Sequence, residues 1–379
     1  MRWLALLPAS LLACGCDAPS VGQASAGKAP AGQAPAGQTP VRSGGVATRG
    51  LDAAILARTV EAARRLPRLR SLLVLRDGRT LAEHRFNGGP PLDQPVNIKS
   101  ASKSFVSALV GIAIARGVLK GVDQPVLSVL GSRAPANADP RLSRVTVGHL
   151  LSMQAGLERT SGEYYGRWVS SRDWVRSALS RPFVDEPGGA MLYSTGNTHL
   201  LSAMLTRASG RSTLALAREW LGEPLGIEIP AWSTDPQGIY FGGNEMRLSP
   251  RALARFGELY RTGGTVEGRR ILPASWIAQS WTRRAVSPWS GGQYGYGWFI
   301  GLAGGHPVRF AWGYGGQMVY VLPDLRLTVV MTSDPGGARD SGHIDALHHL
   351  LADGIVPAAV SGDAAQDRPA NPISFSSTT

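Results

Sequence analysis

The sequence contains little cysteine and little lysine. Its 379 residues include two cysteines, Cys14 and Cys16, which are too few and too close together to hold a domain with disulfides. Zinc sites and iron–sulfur clusters built on several cysteines are excluded for the same reason. Only four of the 39 basic residues are lysines, so a lysine inside an apolar segment is informative.

Long apolar segments are absent after the N-terminus. A basic start precedes an apolar run at residues 3–13, which is too short to span a bilayer and is typical of an export signal. The run ends in LLAC at 11–14, which resembles a bacterial lipobox. We therefore expect a lipoprotein-type signal peptide at 1–13, lipidation of Cys14, and an exported bacterial envelope protein anchored in the membrane and facing the periplasm. The alternative is plain secretion with two incidental cysteines.

Large apolar side chains are also nearly absent from residues 14–48. This segment consists mainly of Ala, Gly, Gln and Pro, and AGKAP at 26–30 recurs as AGQAP and AGQTP. Such a composition cannot bury enough surface to offset the entropy of ordering, which predicts a flexible tether. We expect a single folded domain at 49–356 and a disordered tail at 357–379.

Acidic residues are outnumbered, and the formal net charge is +12 at pH 7. The excess is almost entirely arginine and is dispersed along the chain. Stretches such as 64–70 lack the interleaved aromatic residues of a nucleic-acid platform. We therefore expect no nucleic-acid partner and interpret the arginines as a solvated face near an anionic membrane.

Helical and strand patterns occupy different parts of the chain. Helices are predicted at both ends, strands follow the first and precede the last, and a mostly helical stretch extends to about residue 260. This order indicates an α+β fold rather than alternating βαβ units. The predicted elements are helices at 51–66, 102–116 and 341–352, a hairpin at 72–86, and strands at 308–312, 317–322 and 325–332.

One lysine enters a segment that has no structural use for a charge. Residues 102–116 are apolar nearly all round, yet Lys103 lies at the start of this helix, three residues after Ser100. At that spacing the amine can reach the serine hydroxyl, and burial would lower its proton affinity enough for it to act as a base. The alternative is that Ser100 caps the helix and Lys103 extends outward.

Two further motifs follow Ser100 and Lys103 along the chain. PGGAMLYST at 187–195 is a tight loop that leads to Tyr193, and GYGGQ at 313–317 begins a late strand. Together with Ser100 and Lys103 they resemble the serine β-lactamase and penicillin-binding-protein superfamily over about residues 51–355. The resemblance is to its class C-type branch, which includes esterases, D-amino-acid peptidases and 6-aminohexanoate-oligomer hydrolases. It implies an antiparallel sheet flanked by N- and C-terminal helices, with an inserted all-helical subdomain.

The resemblance also implies roles for individual residues. Ser100 would be the acylated nucleophile, Lys103 the group that activates it, and Tyr193 the phenolate or hydrogen-bonded base that relays the proton to the leaving group. The backbone N–H groups of Ser100 and Gln317 would form the oxyanion hole. Neither a metal nor an organic cofactor is implied.

The departures from the family pattern concern the substrate. Thr195 replaces the asparagine of the Y-x-N motif, and Asn197 is a partial substitute or a packing residue. Tyr314, followed by Gly315 and Gly316, replaces the lysine of the K-T-G motif, which would supply a cation near a substrate carboxylate. A tyrosine supplies no charge. Penicillin hydrolysis is therefore disfavoured, and a small neutral ester or amide is the expected substrate.

Aromatic residues cluster where the family has its pocket rim. They are expected either to line an apolar substrate groove or to belong to the core, and Glu163 beside them is expected to be an exposed charge. The aromatic candidates are Tyr164, Tyr165, Trp168, Tyr294, Tyr296 and Trp298.

Three functional hypotheses remain. The first is a serine hydrolase that cleaves an ester or amide bond through an acyl-enzyme on Ser100. The second is a D-amino-acid peptidase or β-lactamase that acts on cell-wall-like substrates. The third is an envelope binding protein that has lost catalysis. An α/β-hydrolase is disfavoured because G-x-S-x-G is absent. The histidines His343, His348 and His349 are expected on a solvated or lightly packed helix face without a metal.

Overall fold

An eight-stranded antiparallel sheet lies at the centre of the fold. The structure is a computed structural model that describes residues 50–337 and 341–366. Its strands are β1 (Leu69–Arg76), β2 (Arg79–Arg85), β3 (Val96–Asn97), β4 (Arg247–Leu248), β5 (Thr265–Val266), β6 (Arg269–Arg270), β7 (Ala285–Val286), β8 (Gln293–Tyr294), β9 (Phe299–Ala303), β10 (His306–Gly313), β11 (Gln317–Leu322) and β12 (Leu327–Ser333). The order across the sheet is β2-β1-β12-β11-β10-β9-β8-β7, while β3-β4 and β5-β6 form separate pairs.

Helices precede the sheet, follow it and are inserted into its connections. The α-helices are α1 (Ala53–Arg64), α2 (Ser102–Ala115), α3 (Leu127–Leu130), α4 (Val147–Leu151), α5 (Tyr165–Val169), α6 (Trp174–Leu179), α7 (Thr195–Ser209), α8 (Thr213–Ala217), α9 (Glu223–Leu225), α10 (Pro250–Arg261), α11 (Ala274–Ser280), α12 (His343–His349) and α13 (Val356–Gln366). Short 3-10 turns span Lys99–Ala101, Gly131–Arg133, Pro140–Arg144 and Gly162–Tyr164, and π-helical turns span Arg218–Gly222 and Leu350–Ile355.

Both faces of the central strands are covered. Every residue of β11 and β12 is buried, and their side chains alternate between two cores. Val319 and Val330 pack on the side of α10, whereas Tyr320 and Val329 pack with α1 and the C-terminal helices. A strand that is buried on both faces is apolar at nearly every position, which explains the continuous apolar runs in this part of the sequence.

The helix α2 lies in the interior. Its residues from Ser102 to Ala113 are all buried, and Phe105 stacks on Phe256 of α10 with ring centroids 3.6 Å apart. The segment from α2 to α9 forms the helical insertion. The short β3–β4 pair closes this insertion at its base, because its two strands lie just before α2 and just before α10.

The predicted α+β architecture is confirmed, including the sheet flanked by terminal helices and the helical insertion. The strand predicted at 317–322 coincides with β11, and the predicted hairpin is β1–β2, turning at Asp77 and Gly78, whose φ angles are 51° and 78°. The predicted helices at 51–66 and 102–116 are slightly shorter in the structure.

The predicted start of a disordered tail at 357 is wrong for residues 357–366. This stretch belongs to α13, and Arg76 of β1 connects it to the sheet. The buried guanidinium donates to the carbonyls of Gly50, Leu325 and Ala359 at 2.6, 3.2 and 3.0 Å, and it pairs with Asp363 at 2.6 Å. These carbonyl acceptors come from three separate segments, so their convergence is not visible in the sequence.

The predictions for the chain ends remain predictions. The signal peptide at 1–13, Cys14, the tether at 14–48 and the tail from 367 onwards lie outside the described residues. Within residues 50–337 and 341–366, no helix has the length and apolar composition needed to span a bilayer.

Replacing Arg76 with methionine should destabilise the whole domain. The variant Arg76→Met leaves carbonyls from three segments without their donor, and we expect the free energy of unfolding to fall by about 3 kcal/mol in urea denaturation of the full chain. The control Arg79→Met changes an exposed arginine opposite Arg76 on β2. Equal losses in the two variants would contradict this account of the C-terminal helix.

Candidate active site

Ser100 lies in a turn just before α2, and hydrogen bonds among neighbouring residues hold this turn in place. The preceding residue, Lys99, has φ 52°, and its N–H donates to Asn97 Oδ1 at 2.9 Å. Glu245 accepts from Asn97 Nδ2 at 2.7 Å and from Lys99 Nζ at 3.3 Å. Ser100 does not cap the helix, because the N-cap of α2 is Ala101, which makes no side-chain hydrogen bond. The alternative interpretation of Ser100 as a cap is therefore wrong.

Lys103 is buried and points at Ser100. Its side chain is 2% exposed, so the outward-pointing alternative is also wrong. Its Nζ lies 3.1 Å from Ser100 Oγ, 2.7 Å from the carbonyl oxygen of Gly243 and 3.4 Å from Thr195 Oγ1. Burial lowers the pKa of Lys103 from 10.5 to about 7. An uncharged amine is therefore available near neutral pH.

The surroundings of this amine fix the direction of its lone pair. A neutral amine has two N–H donors and one lone pair. If the Gly243 carbonyl and Thr195 Oγ1 accept the two hydrogens, the lone pair faces the hydroxyl of Ser100. This is the arrangement in which a lysine can take the serine proton.

Tyr193 lies on the other side of Ser100. Lys103 Nζ is 4.9 Å from the centre of the Tyr193 ring, and the phenol hydroxyl is hydrogen-bonded to Ser100. Burial raises the pKa of Tyr193 to about 12, although the hydrogen bond with Ser100 acts in the opposite direction. Both a phenolate and a hydrogen-bonded phenol were predicted as the form of Tyr193. The raised pKa favours the neutral, hydrogen-bonded phenol.

Thr195 is connected to a serine that sequence reasoning missed. Ser161 Oγ lies 2.9 Å from Thr195 Oγ1 and accepts the Thr195 N–H at 2.8 Å. The polar contacts therefore run from Ser161 through Thr195 to Lys103. Asn197, two residues further along α7, is buried, and its Nδ2 has no hydrogen-bond partner among the described residues. The S-x-x-K motif does not point to Ser161, because Ser161 lies in a loop that is distant from Ser100 in sequence.

The glycine-rich motif forms the turn between β10 and β11. Gly313 pairs with Gln317, and a Cβ on Gly313 would lie 2.2 Å from the carbonyl oxygen of Ile98, so this strand end lies against the Ser100 turn. The Gln317 side chain points inward, where it donates to the Ser333 carbonyl at 2.7 Å and accepts the Ser333 N–H at 3.2 Å. Tyr314 at the tip of the turn is 42% exposed.

A buried histidine supports this turn from behind. His343 Nε2 lies 2.9 Å from Ser333 Oγ, and burial, with the nearby positive charge of Arg68, lowers the pKa of His343 to about 4. His348 packs beside Tyr320, whose hydroxyl is 3.1 Å from its Nδ1. The predicted solvated or lightly packed helix face is therefore wrong for the buried His343, whereas the half-buried His348 and the exposed His349 agree with it.

Most of the predicted rim aromatics belong to the core. The buried ones are Trp168, Tyr294, Tyr296 and Trp298. Tyr165 is half-buried and accepts a hydrogen bond from Asn244 Nδ2 at 2.8 Å. Tyr164 is also half-buried and lies under the Arg181 guanidinium, which is 5.1 Å from its ring centre. Glu163 is an exposed charge paired with Arg159 at 3.0 Å.

Sequence reasoning did not identify one aromatic residue at the rim of the site. Trp289 lies in the loop between β7 and β8, is 51% exposed, and its ring meets the Tyr193 ring edge-on with centroids 5.2 Å apart. A lone tryptophan between short strands carries no motif, so only the folded arrangement brings it to the site. Across the described ranges, no group of three or more His, Cys, Asp or Glu side chains is placed to hold a metal ion.

The comparison with known families agrees with this geometry. A family model described as Beta-lactamase matches residues 62–353, which is most of the chain. The chain belongs to the Beta-lactamase family. The predicted family resemblance is thereby confirmed.

Several solved structures share the fold. A candidate 6-aminohexanoate-dimer hydrolase from Bacillus anthracis is 20% identical and superposes with a TM-score of 0.65, covering 79% of this chain and 80% of that one. EstCE1, a hydrolase with promiscuous acyltransferase activity, is 17% identical with a TM-score of 0.63, covering 79% and 96%. A D-stereospecific amidohydrolase from Streptomyces is 20% identical with a TM-score of 0.60, covering 78% and 98%.

A curated relative matches over a shorter span. An uncharacterized protein of Alkalihalophilus pseudofirmus is 22% identical over 192 residues, which is 48% of this chain. The match spans about half of that relative's own length, 53%. At these identities the solved structures establish the fold alone.

Burial of Lys103 should reduce stability at neutral pH. In the unfolded chain the lysine stays protonated up to its ordinary pKa of 10.5, whereas the folded protein releases the proton at about 7. The unfolded state therefore binds more protons between these values, and wild-type stability rises with pH across this window. We expect Lys103→Met to raise the free energy of unfolding by about 2 kcal/mol at pH 7, after allowing for the unpaired Gly243 carbonyl.

The gain should vanish by about pH 10, where the lysine is increasingly neutral in both states. Chemical denaturation at several pH values measures it. The control Lys120→Met changes an exposed lysine and should show no such pH-dependent gain. A gain from Lys103→Met that did not depend on pH would contradict the depressed pKa.

Proposed function

We propose that the protein is a serine hydrolase that cleaves an ester or amide bond through an acyl-enzyme on Ser100. The observation that carries the proposal is the buried amine of Lys103, 3.1 Å from Ser100 Oγ, with the Gly243 carbonyl and Thr195 as its other partners. A buried lysine is costly to fold, and its hydrogen-bonded contact with a serine serves proton transfer.

In the first step Ser100 Oγ attacks the substrate carbonyl carbon. Lys103 accepts the hydroxyl proton while the C–O bond forms, and the negative charge develops on the carbonyl oxygen. The backbone N–H groups of Ser100 and Gln317 are the proposed donors to that oxygen, in keeping with the proximity of the Ser100 turn and the β10–β11 turn. The bond from the carbonyl carbon to the leaving oxygen or nitrogen then breaks, Tyr193 gives its proton to the leaving alcohol or amine, and Lys103 passes to Tyr193 the proton that it took from Ser100.

In the second step water attacks the acyl-enzyme. Tyr193 accepts a proton from the attacking water while it passes its own proton to Lys103, the bond between the acyl carbon and Ser100 Oγ breaks, and Lys103 returns the proton to Ser100 Oγ. The products are the free acid and the regenerated serine. A neutral Tyr193 suits this role, because a phenol can both accept and donate within one hydrogen-bonded chain.

The polar groups around the site favour a neutral substrate. Tyr314 replaces the cation that would hold a carboxylate, and Thr195 is committed to Ser161 and Lys103 rather than presenting an amide to the substrate. Trp289 offers an exposed aromatic surface next to Tyr193. We therefore propose small esters or amides with an apolar acyl or leaving group as substrates, in preference to β-lactams.

A fluorophosphonate probe tests the nucleophile. We expect wild-type protein to be labelled and Ser100→Ala to be unlabelled, with a labelling rate that rises with pH through about 7 as Lys103 loses its proton. The control Ser25→Ala alters the other S-x-x-K match, at 25–28, and should label normally. Labelling of Ser100→Ala, or faster turnover of a chromogenic cephalosporin than of a chromogenic ester, would contradict the proposal.

Trp289 should determine the preference for apolar groups. We expect Trp289→Ala to lower kcat/KM about tenfold for a p-nitrophenyl octanoate and much less for the acetate, because only the longer chain reaches the indole. Leu302→Ala removes an exposed apolar side chain from β9 and should affect neither ester. Equal losses with both esters would mean that Trp289 acts on Tyr193 and not on the substrate.

A further inference from the structure

A buried histidine–aspartate pair lies outside the reacting groups. His199 of α7 and Asp235 have no exposed side-chain surface, and His199 Nε2 is 3.1 Å from Asp235 Oδ2. The mechanism described above uses neither residue. Three aromatic rings pack around His199: those of Trp168, Trp174 and Phe241 lie 5.4–5.8 Å from it, centre to centre.

The hydrogen bonds of the pair define one tautomer. The Gly242 N–H donates to His199 Nδ1 at 3.3 Å, so the ring proton is on Nε2 and faces Asp235. Asp235 Oδ1 accepts the N–H groups of Gln237 and Ile239 at 2.9 and 2.8 Å. Burial opposes ionisation of Asp235, but the hydrogen bonds from His199 and the backbone hold its pKa below the ordinary value.

Residues 242–243, which we term the strap, connect this pair to Lys103. The Gly243 carbonyl accepts from Lys103 Nζ at 2.7 Å. Gly243 has φ 86°, and a Cβ there would lie 2.8 Å from Thr198 Cβ and 3.1 Å from Lys103 Cγ. A Cβ on Gly242 would lie 2.2 Å from the Thr198 carbonyl oxygen. The strap is thus packed closely between α7 and the lysine side chain.

We propose that His199 and Asp235 are positioning residues that hold the strap so that the Gly243 carbonyl orients the Lys103 amine toward Ser100. The inference rests on the proposed function, because it assigns the pair a part in activating Ser100. Asp235 fixes the tautomer of His199, His199 holds the N–H of Gly242, and the carbonyl of the following residue, Gly243, is the acceptor for Lys103.

Packing alone does not explain the pair. An apolar side chain could also pack among the three rings around His199, and a buried polar pair adds little net stability, because its hydrogen bonds replace hydrogen bonds to water. What an apolar residue could not provide is an acceptor for the Gly242 N–H. The groups that face the Lys103 amine directly are Ser100, Thr195, the Gly243 carbonyl and the Tyr193 ring, so the strap supplies its closest acceptor.

The variant Asp235→Asn reverses the tautomer with almost no change in volume. Its amide oxygen keeps the two backbone hydrogen bonds, and its amide N–H donates to His199 Nε2, which moves the ring proton to Nδ1. That proton would oppose the Gly242 N–H and displace the strap. We expect fluorophosphonate labelling at pH 7 to slow by about 10- to 100-fold, because the lysine is misplaced.

A second readout does not require activity. The full chain has four lysines, so ¹³C-labelled lysine gives an NMR titration in which Lys103 is assigned by its loss in Lys103→Met. When the strap moves, water reaches the amine, and the pKa of Lys103 should rise from about 7 towards its ordinary value. Asp173→Asn is the matched control, since Asp173 caps α6 and pairs with Arg133 without touching the strap.

Two double variants keep the test valid if Asp235→Asn folds poorly. His199→Asn/Asp235→Asn and His199→Leu/Asp235→Asn both remove the buried charge and differ mainly in whether position 199 can accept the Gly242 N–H. We expect the asparagine version to label within about threefold of wild type and the leucine version to behave like Asp235→Asn.

Equal labelling rates and equal Lys103 pKa values in the two double variants would overturn the inference. A raised Lys103 pKa in Asp235→Asn and in the leucine version supports it, even if the wild-type protein labels no serine. In that last case the proposed hydrolase function fails while the positioning role stands. The two claims therefore fail separately.

Discussion

The contact between Lys103 and Ser100 places the strongest demand on this structure. An amine that must be uncharged near neutral pH has to be removed from water, and each of its hydrogens then needs an acceptor in the protein. The fold meets this demand with three segments that are far apart in sequence: the turn before α2, the N-terminal turn of α7, and residues 242–243. The rest of the helical insertion packs around these three and keeps them in place.

The central sheet shows ordinary packing, whereas the surroundings of the Lys103 amine show uncommon features. The sheet and its two cores follow ordinary rules of apolar burial, with β11 and β12 covered on both faces. Several uncommon features lie near the amine: Lys99 at φ 52°, Gly243 at φ 86°, and the buried pair of His199 and Asp235. A non-glycine residue at positive φ and a buried carboxylate are costly to fold, which agrees with a role for Lys99 and the pair in placing the amine.

Much of this could be predicted from the sequence, and the remainder has a physical reason. The apolar run at 102–116 predicts a central helix, and Lys103 inside it marks the site, because a charge in such a helix needs a function. The order of Ser100, Tyr193 and the glycine-rich turn predicts the family. Sequence reasoning missed Ser161, His199, Asp235 and Trp289, since each reaches the site only through tertiary packing. Sequence reasoning also placed the end of the folded domain too early, at residue 356. Arg76 connects α13 to the sheet through backbone carbonyls, and no pattern of side chains in the sequence reveals those contacts.

The central claim is that Ser100 carries the acyl group during turnover. The most direct measurement is acid quenching of the full chain within milliseconds of mixing with a p-nitrophenyl ester, followed by peptide mass spectrometry. The account predicts that the peptide containing Ser100 gains the mass of the acyl group, that this adduct decays as the acid is released, and that Lys103→Met does not form it. Turnover of the ester without an adduct on that peptide, or with the adduct on another residue, would contradict it.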